Sequence, residues 1–207
     1  MAVAEEVTLD ELIAWCGKEA AKVQSMSLRP AMQRIAVSAK GYTQQNFVGQ
    51  HTPDGVPWVP TKFRVRGAGK TLRDTGLLMA GVGSASKAAS VEQIGDRSLE
   101  VGTNDERART HQDGAEIKPK RGKFLAIPLT RKALLLSPRD FPGLHFRGGE
   151  DRGALFDRQG TAHYALVKRV LIPARPFIGW NGAMIEDAGM ILADFLVTEI
   201  DGDAIGG

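Results

Sequence analysis

The chain has 207 residues, a length that can bury one sizeable core and would leave two full domains small. Apolar residues make up 43% and charged residues 25%, which excludes wholesale disorder, and no apolar run reaches the roughly 18 residues of a membrane-spanning helix. A net charge of +3 is too mildly basic to indicate a nucleic-acid partner by itself. The N-terminus lacks the basic start and apolar stretch of a secretory signal, so we expect folding in the cytoplasm and no membrane contact.

The N-terminal helical segment, residues 1–27, begins with a clear helix signal. Thr8 followed three residues later by Glu11 is a capping box, which predicts a helix over about residues 9–23. The lone cysteine, Cys16, lies among apolar neighbours and is expected to be buried filler rather than a reactive group. The apolar residues of this helix recur at helical spacing and predict one apolar face: Leu9, Leu12, Ile13, Cys16 and Ala20.

A second helix and a basic loop follow. Ser27 is a candidate cap for a helix that should reach residue 47 or 48 and stop at Gly49. From residue 50 onwards the chain is rich in proline, glycine and positive charge, and Pro53-Asp54-Gly55 is a turn signal. We interpret residues 59–70 as a mobile basic loop.

The rest of the chain mixes short strands with helices. The segment 131–160 is interrupted by many prolines and glycines, which favours an extended arm or insertion. The other predicted elements are a short helix at 71–82, a hairpin at 91–101, a strand at 124–127, a strand at 163–172 and an amphipathic helix at 182–199. Two helices, several antiparallel strands and a closing helix predict a single α+β domain over residues 1–207.

No pattern for catalysis, cofactor binding or metal binding is present in the sequence. The segment 67–71 resembles a phosphate-binding loop, but Arg64 stands where the first glycine of that motif belongs. The four histidines lack ligand spacing, and the serine motif of esterases is absent. We therefore expect no enzyme activity, no cofactor and no metal site.

Two clusters of positive charge are candidates for facing a partner or DNA. Such clusters suit phosphate backbones, but positive charge carries no evidence of sequence reading. A solvated or partner-facing surface and non-specific contact with DNA both stay open. The residues concerned are Lys62, Arg64, Arg66 and Lys70 in the first cluster, and Lys118, Lys120 and Arg121 in the second.

Four stretches, taken in order, resemble the virion morphogenesis (tail completion) family of Mu-like tailed bacteriophages, which is related to head-tail connector and minor tail proteins. They are residues 47–58 with Pro53-Asp54-Gly55 and Trp58, residues 72–78 (LRDTGLL), residues 101–103 leading to His111-Gln112-Asp113-Gly114, and residues 172–179 (IPARPFIG). Two departures from the family pattern are visible. Residues 106–109 replace a Tyr-Ala pair, and the segment 118–160 is longer than in short members.

The resemblance implies a non-enzymatic structural protein of the phage neck or tail, assembled in the host cytoplasm and carried in the virion. It would act in tail completion or head-tail joining as a homo-oligomeric ring, hexameric by likeness to such components, beside neighbouring neck and tail proteins. The basic residues would then line the lumen through which genomic DNA passes. Trp58, Arg175 and Phe177 are the candidate interface residues; for Arg175, an internal salt bridge is an equal alternative.

Two other classes of function stay in view. The basic loops also suit a DNA-binding or packaging accessory protein, which would show salt-dependent affinity for duplex DNA. A hydrolase or nuclease would need a cluster of acids or histidines that the sequence does not display.

Overall fold

A computed structural model describes residues 8–61, 70–73, 75–83 and 89–204, the last four as backbone only. The chain divides into two compact units. Unit 1 comprises Met1–Tyr42, Val91–Val101 and Trp180–Gly207, and unit 2 comprises Thr43–Ser90 and Gly102–Gly179. Helices at both ends of the chain and antiparallel strands between them make the fold α+β, as the sequence predicts.

Three helices supply most of unit 1: α1 (Leu9–Ser25), the first part of α2 (Arg29–Gly49) and α6 (Gly182–Ala204). The predicted capping box is confirmed, because the Thr8 hydroxyl accepts from the Glu11 amide while the Glu11 carboxylate accepts from the Thr8 amide. The core of the unit joins α2 to α6 through Leu28, Ala31 and Phe195. Arg34 also reaches Asp194 of α6, at 2.8 Å.

A hairpin of β1 (Ser90–Ile94) and β2 (Leu99–Thr103) confirms the predicted strand pair, and most of it belongs to unit 1. Polar contacts fasten it to the helical part of the unit, among them a hydrogen bond from the Ser27 hydroxyl to the Asp96 carboxylate. Arg97 donates to the last carbonyls of α1, those of Val23 and Gln24. Arg29 donates to the carbonyl of Ile94, and Lys40 pairs with Glu92 of β1 at 2.7 Å.

Unit 2 is built of short elements. They are α3 (Leu77–Gly83), α4 (Glu106–Asp113), β3 (Ala115–Ile117), β4 (Leu125–Pro128), α5 (Arg131–Leu135), β5 (His145–Gly148), β6 (Arg152–Phe156), β7 (Ala162–Val167) and β8 (Val170–Ile172). Strands β4, β7, β6 and β5 form an antiparallel sheet in that order, and β3 pairs with β8 in a separate two-stranded sheet. A core of Ala133, Phe141 and Tyr164 packs on the larger sheet.

Two sequence-based predictions of elements are corrected here. The strand predicted at 163–172 is two strands in different sheets: β7 pairs with β4 and β6, β8 pairs with β3, and Lys168 and Arg169 lie between them. The helix predicted at 71–82 begins only at residue 77, since Leu72 (φ 60°) and Gly76 (φ 72°) lie in the left-handed region.

Segment 131–160, predicted as an extended arm or insertion, contains α5 and the β5–β6 hairpin of the larger sheet. Its glycines are part of these strands: Gly148 ends β5 and Gly153 lies within β6. At Gly153, for example, an added Cβ would lie 2.3 Å from the ring of Phe146. Helix α4 was also absent from the prediction, although Asp105 caps it by accepting from the Arg107 amide.

Candidate functional site

Three of the four stretches that resemble the phage family supply one apolar core in unit 2, and the remaining one supplies Gln112, which binds the backbone beside that core. Phe47, Trp58, Leu78 and Phe177 are buried together, with Leu72 and Ile178 packed against them. The Phe47 ring is the centre, at 5.0 Å from the Phe177 ring and 5.6 Å from the Trp58 ring, the latter edge to face. These motif residues therefore have a structural role, because they form a buried apolar core.

The turn at Pro53-Asp54-Gly55 folds Trp58 back onto α2, as the sequence predicts. The Gly55 amide donates to the Thr52 carbonyl, and Gly55 has φ 79°, which glycine adopts without strain. The Trp58 amide then donates to the Gln50 carbonyl at 2.8 Å. Because of this return, Trp58 has only 6% of its surface exposed.

Residues 175–178, here called the clamped segment, are held from several sides. Gln112 does most of this: its Oε1 accepts from the amides of Phe177 and Ile178, at 3.0 and 3.2 Å, and its Nε2 donates to the Ile178 carbonyl. Trp58 Nε1 donates to the Pro176 carbonyl, and Asn46 Nδ2 donates to the Phe177 carbonyl. A segment without helix or strand partners thus has its backbone groups satisfied by side chains.

Arg175 is the charged residue of the clamped segment, and it is 5% exposed. Its backbone amide donates to the His111 carbonyl at 2.7 Å, and its Nε donates to the Val59 carbonyl at 2.8 Å. Among the described residues no carboxylate forms an ion pair with it, so the internal salt bridge is not found there. Burial lowers the pKa of Arg175.

His111 lies beside this arginine. Burial lowers its pKa, and the positive charges of Arg175 and Arg107 lower it further, while Asp105 acts in the opposite direction. Its Nδ1 is buried and has no hydrogen-bond partner within the described ranges. Asp105 is engaged elsewhere, because its carboxylate binds the Arg107 guanidinium at 2.6 and 2.9 Å.

The predicted interface residues Trp58, Arg175 and Phe177 are thus brought together, but within one chain, where Phe177 is only 1% exposed. Their contribution to a subunit contact stays a prediction. Any such contact would use the edge of this cluster, because the rings themselves fill the core.

The predicted DNA-facing residues are only partly within the described chain. Lys62, Arg64 and Arg66 lie outside the described residues. Lys70 is exposed and reaches the Val48 carbonyl at 3.4 Å. The second cluster, all exposed, follows β3: Lys118, Lys120 and Arg121. Lys118 pairs with Glu116 at 3.2 Å, and this hydrogen bond lowers the pKa of Glu116.

A hydrogen-bonded chain of Thr130, His163 and Asp157 was not anticipated from the sequence. His163 Nδ1 is 2.8 Å from the Thr130 hydroxyl, and Nε2 is 2.9 Å from the Asp157 carboxylate. The Thr130 hydroxyl also caps α5 by accepting from the Ala133 amide, which gives it a structural role. The available signal was the turn Asp157 to Gly160 placed just before a strand.

Helix α1 is much more exposed than its sequence predicts. Every residue from Thr8 to Lys18 is exposed, and none of its residues is buried. Cys16 is exposed, so the prediction that it is buried is wrong. The sequence pattern gave the apolar face correctly, but the chain itself does not cover that face. Leu9 is 70% exposed and Ile13 is 60% exposed.

Within the described residues, no group of three or more histidine, cysteine, aspartate or glutamate side chains could hold a metal ion. No helix in that part of the chain combines the length and apolar character needed to cross a bilayer.

An exposed apolar helix face is typical of a surface that binds another protein. A family model described as the phage virion morphogenesis family matches residues 7–200. The chain therefore belongs to the phage virion morphogenesis family, and its role lies in the structure or assembly of the virion. No curated protein and no solved structure matches the chain significantly.

Proposed function

We propose that the protein is a ring-forming subunit of the phage neck or tail, acting in tail completion or head-tail joining without catalysing a reaction. The observation that carries this proposal is the uncovered apolar face of α1, the exposed residues Leu9, Leu12, Ile13, Cys16 and Ala20. A helix whose first ten residues are all exposed is marginal in water, so it gains stability from a partner.

A second copy of the chain is the proposed partner for this face. The exposed apolar surface on α1 amounts to roughly 400 Å² per copy once Trp15 is included, which with a polar rim approaches half of a standard interface. A contact between two different faces of identical copies closes into a ring when its rotation closes. The hexameric count is taken from the likeness to neck and tail components.

A pair of variants at neighbouring positions tests the role of α1. Ile13→Lys places a charge on the apolar face, whereas Ala14→Lys places the same charge on the opposite, polar face. Burying Ile13 would contribute about 1–2 kcal/mol per contact, so its replacement should shift the assembly several-fold or more toward monomer. Ala14→Lys should assemble like the wild type.

Analytical ultracentrifugation and negative-stain imaging provide the readouts. Rings in the wild type and Ala14→Lys, with monomers in Ile13→Lys, are the expected result. A wild-type chain that stays monomeric at every concentration, and that does not associate with phage necks or tails, would refute the proposed function.

The second candidate is a DNA-binding or packaging accessory protein. The exposed Lys118, Lys120 and Arg121 favour it, because they lie close together on the connection between β3 and β4. Duplex DNA binding by the free chain that weakens with salt, and that is lost when residues 62–73 or 118–121 are neutralised, would support this candidate. If the residues instead line the lumen of a ring, the free chain should bind DNA only weakly.

A further inference from the structure

Arg175 has no anionic partner in the described part of the chain, although only 5% of the residue is exposed. Its only side-chain hydrogen bond there runs from Nε to the carbonyl of Val59. A charge taken out of water is costly unless another charge and further hydrogen bonds compensate it. The described part of the chain therefore supplies no anion that compensates the charge of Arg175.

The surroundings do not offer the missing anion. His111 is the neighbouring titratable group, and Arg175 and Arg107 act on it as positive charges. Asp105 approaches His111 but is committed to Arg107 through two hydrogen bonds. Within the described part of unit 2, no carboxylate therefore pairs with Arg175.

The guanidinium is nevertheless fixed in place for such a partner. Its backbone amide is held by the His111 carbonyl and its Nε by the Val59 carbonyl, so little rotamer freedom is left to lose on binding. The terminal nitrogens are not among the buried atoms that lack a partner, which means that they are not sealed from solvent. A planar fork presented in this way suits a carboxylate.

We infer that Arg175 is a docking point for a carboxylate from a second copy of the chain, contributed by helix α6. This inference rests on the proposed assembly function. Helix α6 carries six acidic residues and no basic ones. Two of them, Glu186 and Glu199, are exposed and form no ion pair with the described residues. Charge complementarity between two different faces is what a head-to-tail contact requires.

The main test is Arg175→Met, which keeps similar bulk and removes the charge. Sedimentation equilibrium over a dilution series should show assembly weakened by at least about tenfold in the dissociation constant. The melting temperature of the dilute, monomeric chain should stay the same or rise, because an uncompensated buried charge has been removed. Arg131→Met serves as the control, because Arg131 is exposed at the start of α5 and should change neither quantity.

Substitutions on α6 test the same contact from the other side without disturbing a buried position. Either Glu186→Gln or Glu199→Gln should reproduce the loss of assembly. Combined with Arg175→Met, that substitution should cause no further loss, since both remove one interaction. These variants keep the inference testable even if Arg175→Met folds poorly.

Four results would overturn the inference. The first is that Arg175→Met assembles as well as an assembling wild type. A wild type that never assembles would instead refute the proposed function. The second is a dilute monomer strongly destabilised by Arg175→Met, which would indicate that Arg175 acts within one chain. The third is full assembly by both glutamine variants. The fourth is duplex DNA binding that depends on Arg175, which would identify the anion as phosphate.

Discussion

Replacing Gln112 with leucine should measure how strongly the clamped segment is held. The wild-type side chain makes hydrogen bonds of 3.0 and 3.2 Å to the amides of Phe177 and Ile178 and one of 2.7 Å to the Ile178 carbonyl. Leucine has a similar volume but satisfies none of these groups. At about 0.5–1.5 kcal/mol for each bond, the free energy of unfolding should fall by roughly 2–4 kcal/mol. For a chain of this size that corresponds to about 5–12 °C in melting temperature.

Denaturant titration at one fixed, low protein concentration is the appropriate assay, because self-association would add its own stability. Gln45→Leu provides the control: Gln45 is exposed on α2 and should change the unfolding free energy by less than about 0.5 kcal/mol. A Gln112→Leu chain as stable as this control would refute the claim that Gln112 fixes the clamped segment.

Three further predictions address neighbouring features. Gly114→Ala should destabilise the fold by more than about 1 kcal/mol in denaturant titration, because Gly114 has φ 75° and an added Cβ would lie 2.8 Å from a backbone nitrogen. The hydrogen bond from His163 lowers the pKa of Asp157, so the wild type should be more stable than Asp157→Asn at neutral pH and should lose this advantage as the pH falls through the folded-state pKa of Asp157. Identical acid unfolding curves for the two proteins would contradict this. Arg175→Met should raise the pKa of His111 in an NMR titration, since the positive charge that lowers it is gone.

Local signals explain why some features could be predicted from the sequence. The capping box at Thr8 and Glu11 depends on residues three apart, and the turn at residues 53–55 depends on adjacent ones. The hairpin of β1 and β2 follows from alternation around a short turn. In each case the deciding contacts lie within a few positions along the chain.

Features that depend on distant contacts could not be predicted in the same way. The break between β7 and β8 accompanies a change of partner strands, since β7 pairs with β4 and β6 whereas β8 pairs with β3. The role of Gln112 becomes visible only when residues about 65 positions further along are placed beside it. Likewise, the pattern of α1 shows which face is apolar but not whether the chain covers it.

The same limit applies to the candidate site. The order of four short stretches indicated the family. The structure brings three of them together in the core around Phe47 and Phe177, and the fourth supplies Gln112, which binds the backbone of Phe177 and Ile178. Burial of Arg175 without a described anionic partner could not be read from the sequence, because it depends on every neighbouring element at once.

Hydrogen exchange of the α1 backbone amides as a function of protein concentration tests most directly whether a second copy covers this helix. Amides around Ile13 should exchange slowly in the concentrated, assembled protein and quickly after dilution to monomer, while those around the buried Ala36 inside α2 stay protected throughout. If exchange in α1 is fast and independent of concentration while the protein demonstrably assembles, the apolar face of α1 is not the subunit contact.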